Sequence, residues 1–103
     1  MTDPHPGRQT VTTAGIAEPL SREPFHVSRV DLFALDANTD RIYVGGHAVS
    51  AVANNQQGAP LSALEQLWFV DVDLANIWID AAVSGEGVTW IARLGTTSFT
   101  TSF

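Results

Sequence analysis

The sequence contains no cysteine, which excludes disulfides, thiolate zinc sites, iron–sulfur clusters and cysteine nucleophiles. It also contains no lysine, so every basic side chain is an arginine: Arg8, Arg22, Arg29, Arg41 and Arg93. Eleven acidic residues bring the formal net charge to −6. Nucleic acids and anionic membranes attract proteins mainly through basic side chains. We therefore expect this protein to bind neither nucleic acid nor a membrane.

Long hydrophobic runs are absent as well. No segment approaches the roughly 20 apolar residues that a membrane-spanning helix needs. Residues 1–6 have neither the basic start nor the apolar stretch of a signal peptide. The sequence therefore predicts a protein that is made in the cytoplasm. Its charged share of 16% is low, which is consistent with surface that becomes buried between subunits.

Short apolar runs separated by turn residues predict an all-β fold. Residues 76–83 and 88–92 are rich in β-branched and aromatic side chains, and the glycine turn between them predicts a hairpin. A change in the phase of alternation at Ser28 and Arg29 indicates a β-bulge. Turn signals about every 8–12 residues are typical of a single β-sandwich or a jelly-roll-like barrel. No window has the periodicity of a long amphipathic helix.

The two ends of the chain differ in composition from its centre. Residues 1–24 contain four of the five prolines, and we expect an extended N-terminal arm there, with a short edge strand possible at residues 9–13. The β-domain is predicted over residues 25–94, beginning at Phe25. Residues 95–103 form a short C-terminal tail that repeats Thr-Thr-Ser-Phe. This tail is either a frayed polar terminus or an arm that anchors two phenylalanines in a neighbouring subunit.

Acidic and histidine side chains are the candidates for chemistry. Asp71 and Asp73 lie two apart on a predicted strand, with Asp80 on the next one. They are open to three interpretations: a site for a hard cation, acid–base catalysts, or ordinary outward polar positions. His26 and His47 are too far apart in sequence to indicate a metal site. No serine-hydrolase, phosphate-loop or zinc-protease motif occurs, so we expect no catalytic, cofactor-binding or metal site.

Aromatic side chains are numerous for a chain of this length: Tyr43, Trp68, Trp78 and Trp90. They fit a core, an interface between subunits or a platform for sugar rings. Trp78 lies between Ile77 and Ile79 on a strand, so it faces the side opposite to both. One face of that strand therefore presents large apolar groups outward, which favours a covering partner. The predicted partner-interface residues are Trp78, Tyr43, Phe99 and Phe103.

Six segments in order carry a resemblance to known proteins. They are D-A-N-T-D-R-I-Y-V-G-G at 36–46, V-S at 49–50, A-P-L at 59–61, V-D-V-D-L at 70–74, N-I-W-I-D-A at 76–81 and G-E-G-V at 85–88. As an ordered set they resemble the small β-domains of bacteriophage structural proteins, of the head-decoration, fibre or tail-associated type. The match departs from the pattern at the Asn- and Gln-rich loop 52–59 and at residues 62–65.

The resemblance implies a non-enzymatic structural role in a virion. The leading expectation is a capsid decoration or cement protein that stabilises the shell by binding across capsid subunits. Its partners would be the major capsid protein or other virion subunits, and we expect a homo-oligomer, either a trimer or a dimer. The alternative is a tail, neck or fibre component that acts as a carbohydrate- or receptor-binding module. A small hydrolase that uses the aspartates is the third interpretation.

Overall fold

Eight strands are present in the part of the chain that the structure describes. The structure, a computed structural model, describes residues 5–52 and 55–94. A single turn of 3-10 helix, Leu74–Asn76, follows the sixth strand, and the described residues contain no helix long and apolar enough to cross a membrane. The strands are β1 His5–Thr10, β2 Glu18–Pro19, β3 His26–Ala34, β4 Ile42–Gly45, β5 Ala59–Leu61, β6 Gln66–Asp73, β7 Trp78–Ala81 and β8 Gly87–Arg93.

The strands form two four-stranded sheets, and every pairing is antiparallel. The first sheet has the order β1-β8-β3-β6 and the second has the order β2-β7-β4-β5. Inward side chains of both sheets belong to one hydrophobic cluster. The prediction of an all-β fold is confirmed, because two antiparallel sheets with a shared core account for nearly all regular structure in the described residues.

Alternation of side chains builds the core from each strand. Val30, Leu32 and Ala34 of β3 are buried on one face of the first sheet. Ile42 of β4 and Ile79 of β7 are buried from the second sheet. Because successive residues of a strand point to opposite faces, the intervening residues of β3 lie on the outer face of the first sheet.

The predicted phase change at Ser28 is present, but it is not a bulge in one strand. Val27 and Val30 are both buried, so β3 changes phase between them. The paired strand β6 changes phase at the same level, where Asp71 adopts a positive φ of 51°. The pairing register is the same on both sides of this point. The phase therefore changes on both strands together, by one residue on each. In a β-bulge, by contrast, two residues of one strand lie opposite one residue of the other.

The predicted hairpin of residues 76–83 and 88–92 is wrong. β7 pairs with β2 and β4, whereas β8 pairs with β1 and β3 in the other sheet. The turn between them carries the chain from one sheet to the other. Gly85 within this turn has a φ of 90° and donates its N–H to Val11 of the segment after β1. Local turn chemistry predicts a reversal of the chain but not the sheet in which the next strand pairs.

The folded part of the chain reaches further toward the N-terminus than the predicted domain start at Phe25. β1 pairs with β8 over six residues, and β2 pairs with β7. Val11 and Leu20 are buried in the shared core. Gly7 allows the ring of Trp90 to pack directly over β1, since a Cβ at this position would collide with the ring. β1 and β2 are thus edge strands of the two sheets, and Val11 and Leu20 belong to the core, so this part of the chain is not an arm lying outside the sheets.

Candidate interaction surface

The outer face of the first sheet is the most distinctive surface of the protein. The strand registers place its residues in three rows across the sheet. We call this surface the Trp68 face. Its rows are Arg8–Thr89–Phe33–Gln66, Pro6–Ile91–Asp31–Trp68 and Arg93–Arg29–Val70.

Large apolar side chains are exposed on the Trp68 face. Trp68 is 51% exposed, Val70 is 56% exposed and Ile91 is 40% exposed. Phe33 is partly buried beside them. Single exposed apolar residues are normal on protein surfaces, whereas a contiguous group marks an interaction site. The registers place these four side chains on one face, on three adjacent strands.

An arginine is held against the exposed tryptophan. The guanidinium carbon of Arg29 lies 4.6 Å from the centroid of the Trp68 ring. Its Nη2 and Nε donate to Oδ1 of Asp31 at 3.0 and 3.1 Å. A cation over an indole face and a charge-assisted pair restrict the guanidinium in two ways. The Arg29 guanidinium is therefore held by two contacts within the Trp68 face itself.

Positive charge is concentrated on this face of an acidic protein. The Trp68 face carries Arg8, Arg29 and Arg93, three of the five arginines, and one acidic residue, Asp31. It therefore has a formal charge of +2 in a chain whose total is −6. Arg29 and Arg93 lie directly opposite each other on β3 and β8, an arrangement of like charges that destabilises an isolated sheet.

The predicted interface residues Trp78 and Tyr43 lie on the outer face of the second sheet. Ile77 and Ile79 are buried, so Trp78, which faces the side opposite to both, lies on the outer face. Trp78 and Tyr43 are both half-buried. Part of this face is already covered, because Ala51 of the preceding loop is buried and bonded to Asp80 beneath it. The structure therefore gives this face less open apolar surface than the Trp68 face.

Two other predicted interface residues, Phe99 and Phe103, lie outside the described residues. Trp68 is not among the predicted interface residues. Residues 67–70 are all apolar, so alternation of polarity could not show which face of β6 is inward. Its pairing with β3 decides this question, because Trp68 lies opposite Asp31 and Phe69 lies opposite the buried Val30.

The three candidate aspartates do not form one site. Asp71 is exposed and its Oδ1 lies 2.7 Å from Nε2 of His26. Asp73 caps the 3-10 helix, and Asp80 lies in the second sheet. His47 is exposed in a loop. Within residues 5–52 and 55–94, no group of three or more acidic, histidine or cysteine side chains is placed to hold a metal ion.

Asp80 is a buried carboxylate that joins three segments. Its Oδ1 accepts the backbone N–H groups of Gly15 at 3.1 Å and Ala81 at 2.8 Å. Its Oδ2 accepts the N–H of Ala51 at 2.8 Å. Buried charges are tolerated when hydrogen bonds replace their hydration. These bonds give Asp80 a structural role, attaching two loops to the outer side of β7.

Glu86 has a similar role that the sequence did not indicate. This residue is 8% exposed. Its carboxylate accepts the backbone N–H of Thr39 at 2.6 Å and the Thr39 hydroxyl at 2.8 Å. It also accepts the N–H of Asp40 at 3.2 Å. The acidic residue in the glycine turn therefore fixes the distant turn between β3 and β4.

Asp73 is ionised more readily than an ordinary aspartate. The backbone N–H groups of Phe25 and Ala75 donate to its Oδ1 at 2.9 and 2.8 Å. These bonds, that from Phe25 first, hold the pKa of Asp73 below its usual value of 3.8. Hydrogen bonds to a carboxylate favour its charged form. The charge of Asp73 is thus used to join the start of β3 to the 3-10 helix.

We expect this carboxylate to make the fold sensitive to acid. Because its pKa is lowered on folding, its contribution to stability is present above pH 3.8 and is lost as the pH falls through the lower folded value. When the pH is lowered from above 3.8 to below it, the melting temperature of the Asp73→Asn variant should therefore fall by less than that of the wild type. Thermal melts of both proteins measure this, with Asp71→Asn as a control. Equal losses in wild type and Asp73→Asn would contradict the expectation.

Comparison with known proteins gives no relative: no protein-family model, no curated protein and no solved structure matches this chain.

Proposed function

We propose that this protein is a non-enzymatic structural subunit of a bacteriophage particle, which decorates the capsid and stabilises it by binding across capsid subunits. The observation that carries the proposal is the Trp68 face, with its exposed apolar side chains and with Arg29 held against Trp68. The ordered set of segments described above supports the assignment to a virion. Binding to the assembled shell but not to its dissociated subunits would stabilise the shell by mass action.

The composition of the Trp68 face is that of a protein interface. Interface cores are enriched in tryptophan, phenylalanine and arginine and depleted in lysine and glutamate. Trp68, Phe33 and Arg29 fit this description. The opposed pair Arg29 and Arg93 costs stability in the isolated sheet. An acidic group on the partner would offset this repulsion, so the proposed partner surface is apolar with acidic side chains.

The order of strands supports a jelly-roll arrangement for this subunit. The pairs β1–β8, β2–β7, β3–β6 and β4–β5 all occur, as in one long antiparallel ribbon folded over on itself. Jelly rolls with eight strands are found in viral capsid proteins and in lectins.

The carboxylates support a structural role over a hydrolytic one. Asp73, Asp80 and Glu86 each accept two or more bonds from backbone N–H groups of other segments or of the next turn. A general acid or base needs to exchange protons with a substrate. These three side chains are instead committed to holding loops and strand ends together.

The proposal is tested first by counting copies of the protein in purified particles. Quantitative mass spectrometry against the major capsid protein gives this ratio. A copy number comparable with that of the capsid protein supports decoration of the shell. A few copies per particle would assign the protein to the neck, tail or fibre, and absence from particles would overturn the virion proposal.

The Trp68 face is tested by placing a negative charge at its centre. Ile91 lies on the central strand β8, and Val83 lies in the turn after β7 with the same exposure of 40%. We expect Ile91→Glu to weaken binding to particles that lack the protein by about tenfold or more, the effect of one important interface residue. Val83→Glu should bind as the wild type does. Equal occupancy by both variants, with unchanged melting temperatures, would exclude the Trp68 face.

A second candidate function is a carbohydrate- or receptor-binding module of a tail, neck or fibre. Trp68 favours it, because a half-exposed indole on the flat face of a sheet provides a platform on which a sugar ring can stack. Glycan-array binding by the wild type that is lost in Trp68→Ala would support this function. If the wild type binds no glycan on the array but binds normally to shells, decoration of the capsid is the function.

A further inference from the structure

The four edges of the two sheets are not alike. Edge strands present unpaired backbone groups, and proteins commonly protect them by making them short or by placing proline or charge on them. β1 contains Pro6, β2 has two residues and contains Pro19, and β5 has three residues and contains Pro60. Three of the four edges are therefore protected against pairing with another strand.

The fourth edge, β6, lacks this protection. It has eight residues, with the sequence Gln-Leu-Trp-Phe-Val-Asp-Val-Asp, and it contains no proline. Its first charged residue is Asp71, so the five residues from Gln66 to Val70 are uncharged. Among the described strands, β6 has a neighbour only on one side, β3. An uncharged and mostly apolar edge segment of this kind is a template for strand pairing.

The backbone of β6 has groups directed away from β3. The N–H of Ala34 donates to the carbonyl of Glu65 at 3.0 Å. In an antiparallel pair, residues that exchange bonds with the neighbour alternate with residues that do not. Leu67 and Phe69 therefore bond to β3, whereas the N–H and C=O groups of Trp68 and Val70 are directed to the open side.

Side chains on both faces of β6 are incompletely buried. On the outer face Trp68 and Val70 are more than half exposed. On the inner face Leu67, Phe69 and Val72 pack against the core but remain only partly buried. A strand added beside β6 would cover apolar surface on both faces of the sheet at once.

We propose that β6 pairs with β6 of a second copy of this chain, antiparallel about a two-fold axis, so that the first sheets of two copies form one continuous eight-stranded sheet. A strand that pairs with itself in this way satisfies the closed symmetry of a dimer. The uncharged segment from Gln66 to Val70 allows two chains of net charge −6 to approach there with little local repulsion. The interaction uses the backbone groups at the edge of the sheet, so it does not rest on the proposed function of the Trp68 face.

The test is the oligomeric state of the full chain, measured by analytical ultracentrifugation. We expect the wild type to sediment as a dimer, with twice the 11.0 kDa of one chain. Val70→Pro should be monomeric, because proline removes an N–H that is directed to the partner while leaving the bonds to β3 intact. Val70→Lys is a second variant in case the proline prevents folding, and lysine on an edge opposes pairing. Ile91→Lys is the matched control, since Ile91 is an exposed apolar residue of the same face on a central strand, and this variant should remain dimeric.

Hydrogen exchange identifies the strand that pairs. In the dimer the amides of Trp68 and Val70 should exchange slowly, and they should exchange rapidly in Val70→Lys. A wild type that is monomeric at its highest soluble concentration would overturn the proposal. The edge of β6 would then be available for pairing with a strand of another protein. A dimer that persists in both Val70 variants would also overturn it. An Ile91→Glu variant that remains dimeric but no longer binds to shells would separate this proposal from that of the Trp68 face, because Ile91 lies on the central strand β8 and not at the edge.

Discussion

Replacement of Trp90 by alanine is expected to lower the free energy of unfolding by about 3–5 kcal/mol, the usual cost of removing a large buried aromatic side chain. Trp90 is only 7% exposed, and it belongs to the shared core. Its ring packs over Gly7 of β1, where no larger residue can fill the space without a collision. Small domains have total stabilities of about 5–15 kcal/mol, so this single change brings the protein close to unfolding.

Chemical denaturation at fixed protein concentration measures the effect, and Trp68→Ala is the matched control. Trp68 is 51% exposed, and its removal forfeits mainly the contact with Arg29, which at an exposed site is worth about 0.5–1 kcal/mol. A difference of several kcal/mol between the two alanine variants is therefore expected. Similar, small losses in both would show that the Trp90 ring contributes little to the core.

The second large effect is expected from Asp80. In Asp80→Ala the backbone N–H groups of Ala51 and Ala81 lose their bonds to the carboxylate, and that of Gly15 keeps only its bond to the Ala81 carbonyl. A hydrogen bond to a charged group contributes about 1.5–3 kcal/mol. Water can replace part of this loss at the more exposed loop, so we expect a decrease of about 3 kcal/mol or more in the free energy of unfolding. The same method of denaturation measures it.

Asp80→Asn separates charge and geometry from size. The asparagine side chain has nearly the same shape, but its amide NH₂ group, which is a donor, would replace one of the carboxylate oxygens that accept backbone N–H groups. We expect it to be destabilised in the same direction as the alanine variant. Asp71→Asn makes the same chemical change at an exposed position and should stay within about 0.5 kcal/mol of the wild type. If Asp80→Asn matched Asp71→Asn, the three bonds would not contribute to stability.

Local patterns in the sequence predicted the class of fold and the orientation of several side chains. Alternation in β3 identifies Val30 and Leu32 as inward residues, and both are buried. The same alternation predicts that Trp78 faces the side opposite to Ile77 and Ile79, and the structure buries the two isoleucines and leaves Trp78 half-buried on the outer face. These predictions succeed because the period of a strand is a local property that each segment shows by itself.

Properties that depend on distant pairing could not be predicted in this way. β1 has a polar sequence, and it is a strand because its backbone pairs with β8. The turn before β8 crosses between sheets because β7 pairs with strands of the second sheet, whereas β8 pairs with strands of the first. Glu86 and Trp68 have their roles only through residues far away in sequence, Thr39 and Arg29 respectively. No window of the sequence contains that information.

The position of β8 has a consequence for how the chain acquires its structure during synthesis. β8 is the last described strand to be made, yet it lies between β1 and β3 in the first sheet. His5 pairs opposite Ala92, so β1 has no partner until nearly the whole described chain has left the ribosome. Because contacts between distant residues form slowly, β3 and β6 are able to pair well before β1 does. The open edge of β6 is thus present on the nascent chain while its core is still incomplete, and folding of the subunit competes with premature association.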